Sequence, residues 1–322
     1  MQYKRLFAIG EALIDMIPAQ TGCDFSEVTA FSPQVGGAPA NVCAAFARLG
    51  GKSALLTQLG DDPFGHKIAA ELAAVGVDTS HICFTDAANT SLAFVSLQAD
   101  GNRTFSFYRN PAADMLYAPE NVQEDWFSDA FALHFCSVAL VPSPMCEAHR
   151  RAIALAHAAG AMVSFDPNLR FPLWKDRAQL KKTVLEFLPE AEMLKISDEE
   201  LEFLTGTRSI EQALPVLLRG RVQLVLYTCG GSGAWAFTRG ARAYVPAESV
   251  HATDTTGAGD GFAGAFLACL AERDVTAGTL GALPEEALRQ MLQFSSRFCG
   301  LSVQRRGAIA SYPTLQELRA GK

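Results

Sequence analysis

The chain has 322 residues, 49% of them hydrophobic and 19% charged, enough apolar material for a sizeable core and too little charge for a disordered chain. Its formal net charge of −7 comes without a long basic run, since Arg305-Arg306 is only a pair, which argues against a nucleic-acid partner. Eight scattered cysteines without a C-x-x-C spacing argue against a disulfide framework or a zinc site. The first ten residues turn polar too soon for a signal peptide, and no uncharged apolar run reaches the ~20 residues of a membrane span, so a soluble, cytoplasmic protein is expected.

Along the chain, short apolar runs alternate with amphipathic stretches. Leu6–Gly10, Ala54–Leu59, Ala132–Cys136, Met162–Asp166, Met193–Ile196 and Leu224–Thr228 read as buried strands. Helices are predicted over Ala40–Leu49, Phe64–Val75, Pro144–Ala159, Ala178–Phe187, Glu199–Leu204, Gly259–Leu270 and Glu285–Cys299. This alternation predicts an α/β fold, a Rossmann-like parallel sheet with helices on both faces. Two stretches break the rhythm: Glu11–Val35 has no helical period, and Ser91–Arg109 reads as two strands around the turn Ala99-Asp100-Gly101-Asn102. A β insertion in such a core predicts a small lid from approximately 11–35 and 91–110. No linker or repeat divides residues 1–322, so one domain with that lid is expected.

The chemistry concentrates at residues 253–265, Thr-Asp-Thr-Thr-Gly-Ala-Gly-Asp-Gly-Phe-Ala-Gly-Ala, after a strand-like segment and at the start of an apolar helix. Gly257 and Gly259 permit a tight turn that bares backbone N–H groups at a helix N-terminus, where an anion is favoured. Asp260 in the same turn would repel a statically bound phosphate. Its task is then either to cap the helix or to accept a proton from a hydroxyl attacking a phosphoryl group, with the N–H groups of Gly257, Ala258 and Gly259 as an anion hole. Two decoys fall away. Gly51-Lys52-Ser53 ends like a P-loop, but Phe46 stands where the first glycine is required. Residues 259–264 satisfy G-x-G-x-x-G, but with a carboxylate where the pyrophosphate would lie and no convincing first strand or ribose-binding acid. The six histidines show no metal-ligand spacing.

These residues, together with Gly36-Gly37-Ala38-Pro39-Ala40-Asn41 near the other end of the chain, resemble the two signatures of the PfkB (ribokinase-like) carbohydrate kinases. The resemblance runs from Ile9-Gly10-Glu11 to Arg306-Gly307-Ala308. It implies an ATP-dependent sugar kinase with a β lid and Asp260 as the catalytic base. The segments Phe107–Met115, Ser164–Trp174 and Gly10–Asp15 are most similar to bacterial fructokinases, which implies transfer from ATP to D-fructose to give fructose 6-phosphate. Kinases of aminoimidazole riboside, 2-keto-3-deoxygluconate or ribose stay open as alternatives, as does a sugar-binding protein without catalysis.

On the substrate side, Asp15 interrupts an apolar run, either as an exposed position on an alternating strand or as an acceptor for two sugar hydroxyls. Gly36, Gly37 and Asn41 permit close approach to a polyol, or simply cap a helix. Phe105 and Phe107, with Arg103 and Arg109 in register, cover a sugar or pack a core. Arg170, after a buried strand end, contacts substrate or pairs with Asp166. On the nucleotide side, Thr228-Cys229-Gly230-Gly231-Ser232-Gly233 is either a turn between strands or a phosphate loop. The resemblance places Thr228, Gly230 and Gly233 near ATP and keeps Lys195 and Glu200 as nucleotide candidates. Ser197 stands where the family has Asn, and Ser197 or Asp198 caps a helix. Magnesium is expected with ATP. The resemblance further implies a monovalent-cation (K+) site from Asp254, Thr256, Ser302, Gly307 and Ser311, and a homodimer paired through the lid.

Overall fold

A computed structural model of the chain describes residues 5–20, 22–23, 25–97 and 103–320. Strands β1 (Arg5–Ile9), β2 (Leu13–Pro18), β3 (Phe31–Gly36), β4 (Ser53–Gly60), β5 (Val77–Asp78), β6 (Ile82–Thr85), β7 (Leu92–Leu97) and β8 (Arg103–Tyr108) alternate with α1 (Ala38–Arg48) and α2 (Pro63–Ala74) in the N-terminal part. The remainder contains β9 (Ala130–Cys136), α3 (Pro144–Ala158), β10 (Met162–Asp166), α4 (Arg177–Phe187), β11 (Met193–Ser197), α5 (Asp198–Thr205), α6 (Ile210–Leu217) and β12 (Leu224–Thr228). It closes with β13 (Ala234–Phe237), β14 (Arg242–Val245), α7 (Ala258–Glu272), α8 (Glu285–Ser302) and α9 (Leu315–Ala320).

The large sheet has the order β14-β13-β12-β11-β10-β9-β1-β4-β5, with β6 also on β4. Its strands are buried on both faces because helices cover both. Neighbouring residues divide between the layers as strand geometry requires. Leu6, Ala132, Met162, Met193 and Leu224 pack with residues of α1, α7 and α8. Phe7, Leu133, Val163, Leu194 and Val225 pack with residues of α3, α4, α5 and α6 on the other face.

The six predicted strands and seven predicted helices all form, with ends moved by a residue or a few. The sheet is not wholly parallel, however. β12, β13 and β14 run antiparallel, because the loop at Gly230–Gly233 is too short for a crossover and the chain must turn straight back. The two stretches without helical rhythm form one separate sheet, β3-β2-β7-β8, in which β2 and β7 pair in parallel and the outer pairs are antiparallel. The turn expected at 99–102 lies outside the described residues. No helix among those described is long and apolar enough to cross a membrane.

The packing of α1 on α7 positions the functional side chains. These helices meet with almost no space between them at Gly264, where a Cβ would lie 2.7 Å from the Ala45 Cβ and 2.9 Å from the Val42 carbonyl oxygen. Gly264→Leu is therefore expected to destabilise the fold by about 1–3 kcal/mol, because the helices must part to admit the side chain. A lowered midpoint of urea unfolding checks this, and an unchanged midpoint contradicts it.

Candidate active site

Gly257 is the N-cap of α7 and adopts the left-handed conformation, φ 71°. A side chain there would be strained and would also strike the Ala308 Cβ, 2.6 Å from the position of its own Cβ. Asp260 follows in the first turn of the helix but makes no capping hydrogen bond. Its carboxylate instead accepts the Asn41 side-chain amide, Nδ2 to Oδ2 2.8 Å, across the α1–α7 contact. The capping alternative is thus removed, and both helix N-termini converge on one acid. The expected anion hole needs a correction at Ala258, whose N–H donates to the Thr255 carbonyl at 3.2 Å and so closes the turn itself. The N–H groups of Gly259 and Asp260 take no backbone carbonyl among the described residues.

Opposite this turn lies a buried cluster of charge. Lys195, near the end of β11, pairs with Asp166, the last residue of β10, at 2.9 Å. Its Nζ is 3.2 Å from where a Gly259 Cβ would be, so Gly259 leaves room for the ammonium beside the turn. Burial, opposed by Lys195 and aided by Glu200 and Asp260, raises the Asp166 carboxyl to about 7. Burial works against the Lys195 ammonium, but the Asp166, Glu200 and Asp260 carboxylates outweigh it and hold its pKa above the ordinary value. Asp260 is itself raised, chiefly by desolvation, with the Asn41 hydrogen bond, Lys195 and Arg170 opposing and Glu200 adding to the rise.

Glu200 has a different task from the expected nucleotide contact. One oxygen accepts the Ser197 N–H at 2.9 Å in a capping box on α5, and the other accepts the Leu169 N–H at 2.8 Å. It ties the loop after β10 to the loop after β11. Arg170 does not pair with Asp166. Its Nη1 donates to the Leu169 carbonyl at 3.2 Å, and its guanidinium lies over the Phe105 ring at 5.8 Å.

Two cavities meet at the glycine turn. One, of about 500 Å³, is lined by Thr228, Gly230, Gly233, Lys195 and Gly259. The other, of about 250 Å³, is lined by Arg170, Glu200, Lys195, Gly257, Gly259 and Asp260. The glycine loop after β12 is a turn between antiparallel strands, and it also lines the first of these cavities. Lys195 and Gly259 belong to both cavities, so the turn is the partition between them.

On the other side, Asp15 on β2 is half-buried, and its Oδ2 lies 2.3 Å from the position of a Gly36 Cβ. Any other residue at 36 would displace that carboxylate. Gly37, φ 105°, lies so close to the Glu11 carbonyl oxygen that a Cβ would be 2.5 Å from it. The chain passes from these glycines directly into α1, which carries Asn41 to Asp260. Phe105 and Phe107 stack with ring centroids 5.9 Å apart. Arg109 is corrected: it is buried, with Nε donating to Asp114 at 2.8 Å, Nη2 to the same carboxylate, and Nη1 to the Val138 carbonyl at 3.0 Å. It anchors the end of β8 to the core.

The expected cation residues do come together. Asp254 Oδ1 accepts the Thr256 N–H and hydroxyl at 2.9 and 2.7 Å, and Oδ2 accepts the Gly307 N–H at 2.9 Å. The Ser302 and Ser311 hydroxyls are 2.6 Å apart. One carboxylate among hydroxyls and carbonyls is an oxygen-only donor set with a single charge, which fits a hard monovalent cation. Sequence reading missed the Lys195–Asp166 pair, although an acid ending a buried strand was a usable signal. It also missed Asp114 as the Arg109 partner, for which no signal existed.

A β-α-β core with a separate small sheet, and an acid in a glycine turn between two cavities, define a phosphotransferase of small hydroxylated molecules. The pattern of the pfkB family carbohydrate kinase matches residues 4–315, and the chain belongs to that family. It is 41% identical to fructokinase-2 of Solanum lycopersicum over 97% of this chain and 94% of that protein. A fructokinase of Xylella fastidiosa solved with bound ATP superposes with a TM-score of 0.89 at 37% identity, covering 99% of this chain and 98% of the other. A fructokinase of Vibrio cholerae O395 solved with fructose, ADP and calcium gives 0.86 at 33% identity, covering 99% of each.

The Asn41 amide favours the ionised form of Asp260, so its loss must raise the carboxyl further. A proton acceptor works only when ionised, so kcat/KM rises with pH through this group's pKa. Asn41→Ala is expected to move that acid limb to higher pH, as measured by a pH profile of kcat/KM, and an unmoved limb would separate Asp260 from Asn41 in function.

Proposed function

We propose that this protein is an ATP-dependent fructokinase, transferring the γ-phosphoryl group of Mg-ATP to the 6-hydroxyl of D-fructose. The observation that carries the reading is Asp260, held by Asn41 beside a bare glycine turn at the junction of two cavities. The cavity at Thr228, Gly230 and Gly233 takes the nucleotide, with its transferring end toward Gly259. The sugar lies between Asp15, the Gly36-Gly37 backbone and Asn41, with Arg170 facing the transferred group. Fructose as acceptor is supported by the fructokinases among the relatives and neighbours, which this chain matches along nearly its whole length.

In this reading Asp260 takes the proton of the attacking hydroxyl, and the N–H groups of Gly259 and Asp260 stabilise the charge on the transferring phosphoryl oxygens. Lys195, fixed by Asp166, supplies positive charge at the same place. A magnesium ion held mainly by the ATP phosphates and water would supply further charge neutralisation there. A potassium-type cation held by Asp254, Thr256, Ser302, Gly307 and Ser311 would add positive charge behind the turn. The small sheet serves as the lid of a single domain, excluding water that would otherwise hydrolyse ATP. Its edges β3 and β8 and the aromatic cluster of Phe25, Phe31, Phe94 and Tyr108, of which Phe25 and Tyr108 are 45% and 62% exposed, favour pairing of two copies through the lid.

ADP release from Mg-ATP with D-fructose, D-ribose, D-glucose, 2-keto-3-deoxygluconate and aminoimidazole riboside tests the reading. Turnover on fructose is expected to exceed that on the others. A better rate on another acceptor would keep the chemistry and replace the sugar, and ligand-induced stabilisation without ADP would leave a binding protein. Asp260→Asn is expected to lower kcat by ~10²–10⁴, and a folded variant with near-normal turnover would remove Asp260 as the base. Asp15→Ala is expected to raise the sugar KM sharply with the ATP KM little changed. Equal movement of both constants would place Asp15 on the wrong side of the site.

A further inference from the structure

The glycine turn has a cost built into its own composition. Gly257 and Gly259 flank Ala258, so neither neighbouring peptide plane is restrained by a Cβ on the glycine side, and both can rotate at little expense. A rotated plane would present a carbonyl oxygen, a partial negative charge, to the phosphoryl group that the N–H groups are meant to hold. The Ala258–Thr255 and Gly261–Gly257 bonds resist this for the first plane, and side chains outside the turn add to the restraint.

Two side chains are placed to do so from behind. The Tyr312 hydroxyl donates to the Gly257 carbonyl at 2.7 Å, and that oxygen also accepts the Gly261 N–H at 2.8 Å. The Cys299 thiol, from α8, donates to the Ala258 carbonyl at 3.2 Å. The Gly257 carbonyl belongs to the peptide that carries the Ala258 N–H, and the Ala258 carbonyl to the one that carries the Gly259 N–H. Holding each oxygen therefore fixes the direction of the N–H on its far side. Tyr312 is fully buried, and its ring, with that of Phe298, lies 3.0 Å from where a Gly261 Cβ would be, so the first turn of α7 rests directly on it. Burial holds the Tyr312 hydroxyl well above its ordinary pKa and pushes the Cys299 thiol up to about 12, so both remain protonated donors at working pH.

We infer that Cys299 and Tyr312 are positioning residues of phosphoryl transfer: Cys299 holds the peptide plane whose Gly259 N–H faces the transferring phosphoryl group, and Tyr312 holds the plane before it, whose Ala258 N–H closes the turn. The inference rests on the anion-hole reading of the proposed function. A carbonyl that accepts an outside hydrogen bond also makes its own peptide N–H a better donor, so the Cys299 lock both orients and strengthens the Gly259 donor. Neither residue contributes charge, so their effect belongs to the transition state and not to nucleotide binding.

The test compares the wild type with Tyr312→Phe, Cys299→Ala and Cys299→Ser, using D-fructose or whichever acceptor of the panel turns over. Steady-state constants are measured, together with ADP affinity in the presence of that sugar, with and without aluminium fluoride, which mimics the transferring phosphoryl group. Tyr312→Phe and Cys299→Ala are each expected to lower kcat about tenfold, the worth of one well-made hydrogen bond. Both are expected to reduce by about the same factor the tightening of ADP that aluminium fluoride brings, with affinity for ADP alone unchanged. Cys299→Ser, which keeps a donor, is expected to recover most of the loss. Folded Phe and Ala variants with wild-type kcat and full tightening would overturn the inference, as would an equal loss of ADP affinity with and without fluoride. Should Tyr312→Phe fail to fold, the Cys299 pair decides alone. A wild type that gains nothing from aluminium fluoride would remove the anion-hole reading itself, and the locks with it.

Discussion

The site depends on how closely α1 and α7 can approach. Each helix begins at a glycine with positive φ, Gly37 for one and Gly257 for the other, and each carries one polar side chain inward from its first turn, Asn41 and Asp260. They meet at 2.8 Å only because Gly264 removes the side chain that would otherwise hold the helix axes apart. An apolar contact a turn further along α7 thus sets the position of the reacting carboxylate. Helix packing at this density behaves like a fixed spacer, since the interior has no slack to absorb an added methyl group.

Charge in the site is arranged around a lysine. Lys195 faces Asp166 directly and feels Glu200 and Asp260 nearby, and Arg170 adds a second positive charge toward Asp260. Burial raises both Asp166 and Asp260, and neighbouring carboxylates add to the rise. That is consistent with a metal-bound polyphosphate entering an acidic pocket, where its cation relieves repulsion that the empty protein carries. Both Glu200 oxygens accept backbone N–H groups, which ties the loops after β10 and β11 together beside this cluster.

The C-terminal segment supports the same turn from behind. Ala308 and Tyr312 pack against Gly257, Gly307 donates to Asp254, and Ser302 and Ser311 close the loop between them. Residues far apart in sequence therefore share one small volume under the glycine turn. Any cation held by the oxygens of this loop would act on the turn through its position alone, without touching substrate.

Much of this was legible before any coordinates. The alternation of apolar and amphipathic runs predicted the α/β core, because strands buried on both faces and helices buried on one carry different periods. The glycines at 36, 37, 257 and 259 announced tight backbone, and Asp260 announced chemistry, because a carboxylate in such a turn needs a reason. Local pattern did not reveal which side chains satisfy one another across the fold. Arg109 read as a free cation on a lid strand, yet the fold buries it against Asp114. A pair of Arg170 with Asp166 was one of two readings, and Lys195 takes that acid instead, since β10 and β11 are adjacent and place the two side chains at the same sheet end. Ala258 read as part of the anion hole, yet its N–H closes the turn. The sequence alone determined the elements and the special backbone positions, and it singled out Asp260, all of which are properties of short windows. Tertiary structure alone decided the partners, the protonation tendencies and the support behind the turn, because hydrogen bonds and burial depend on distances between segments that no local period encodes.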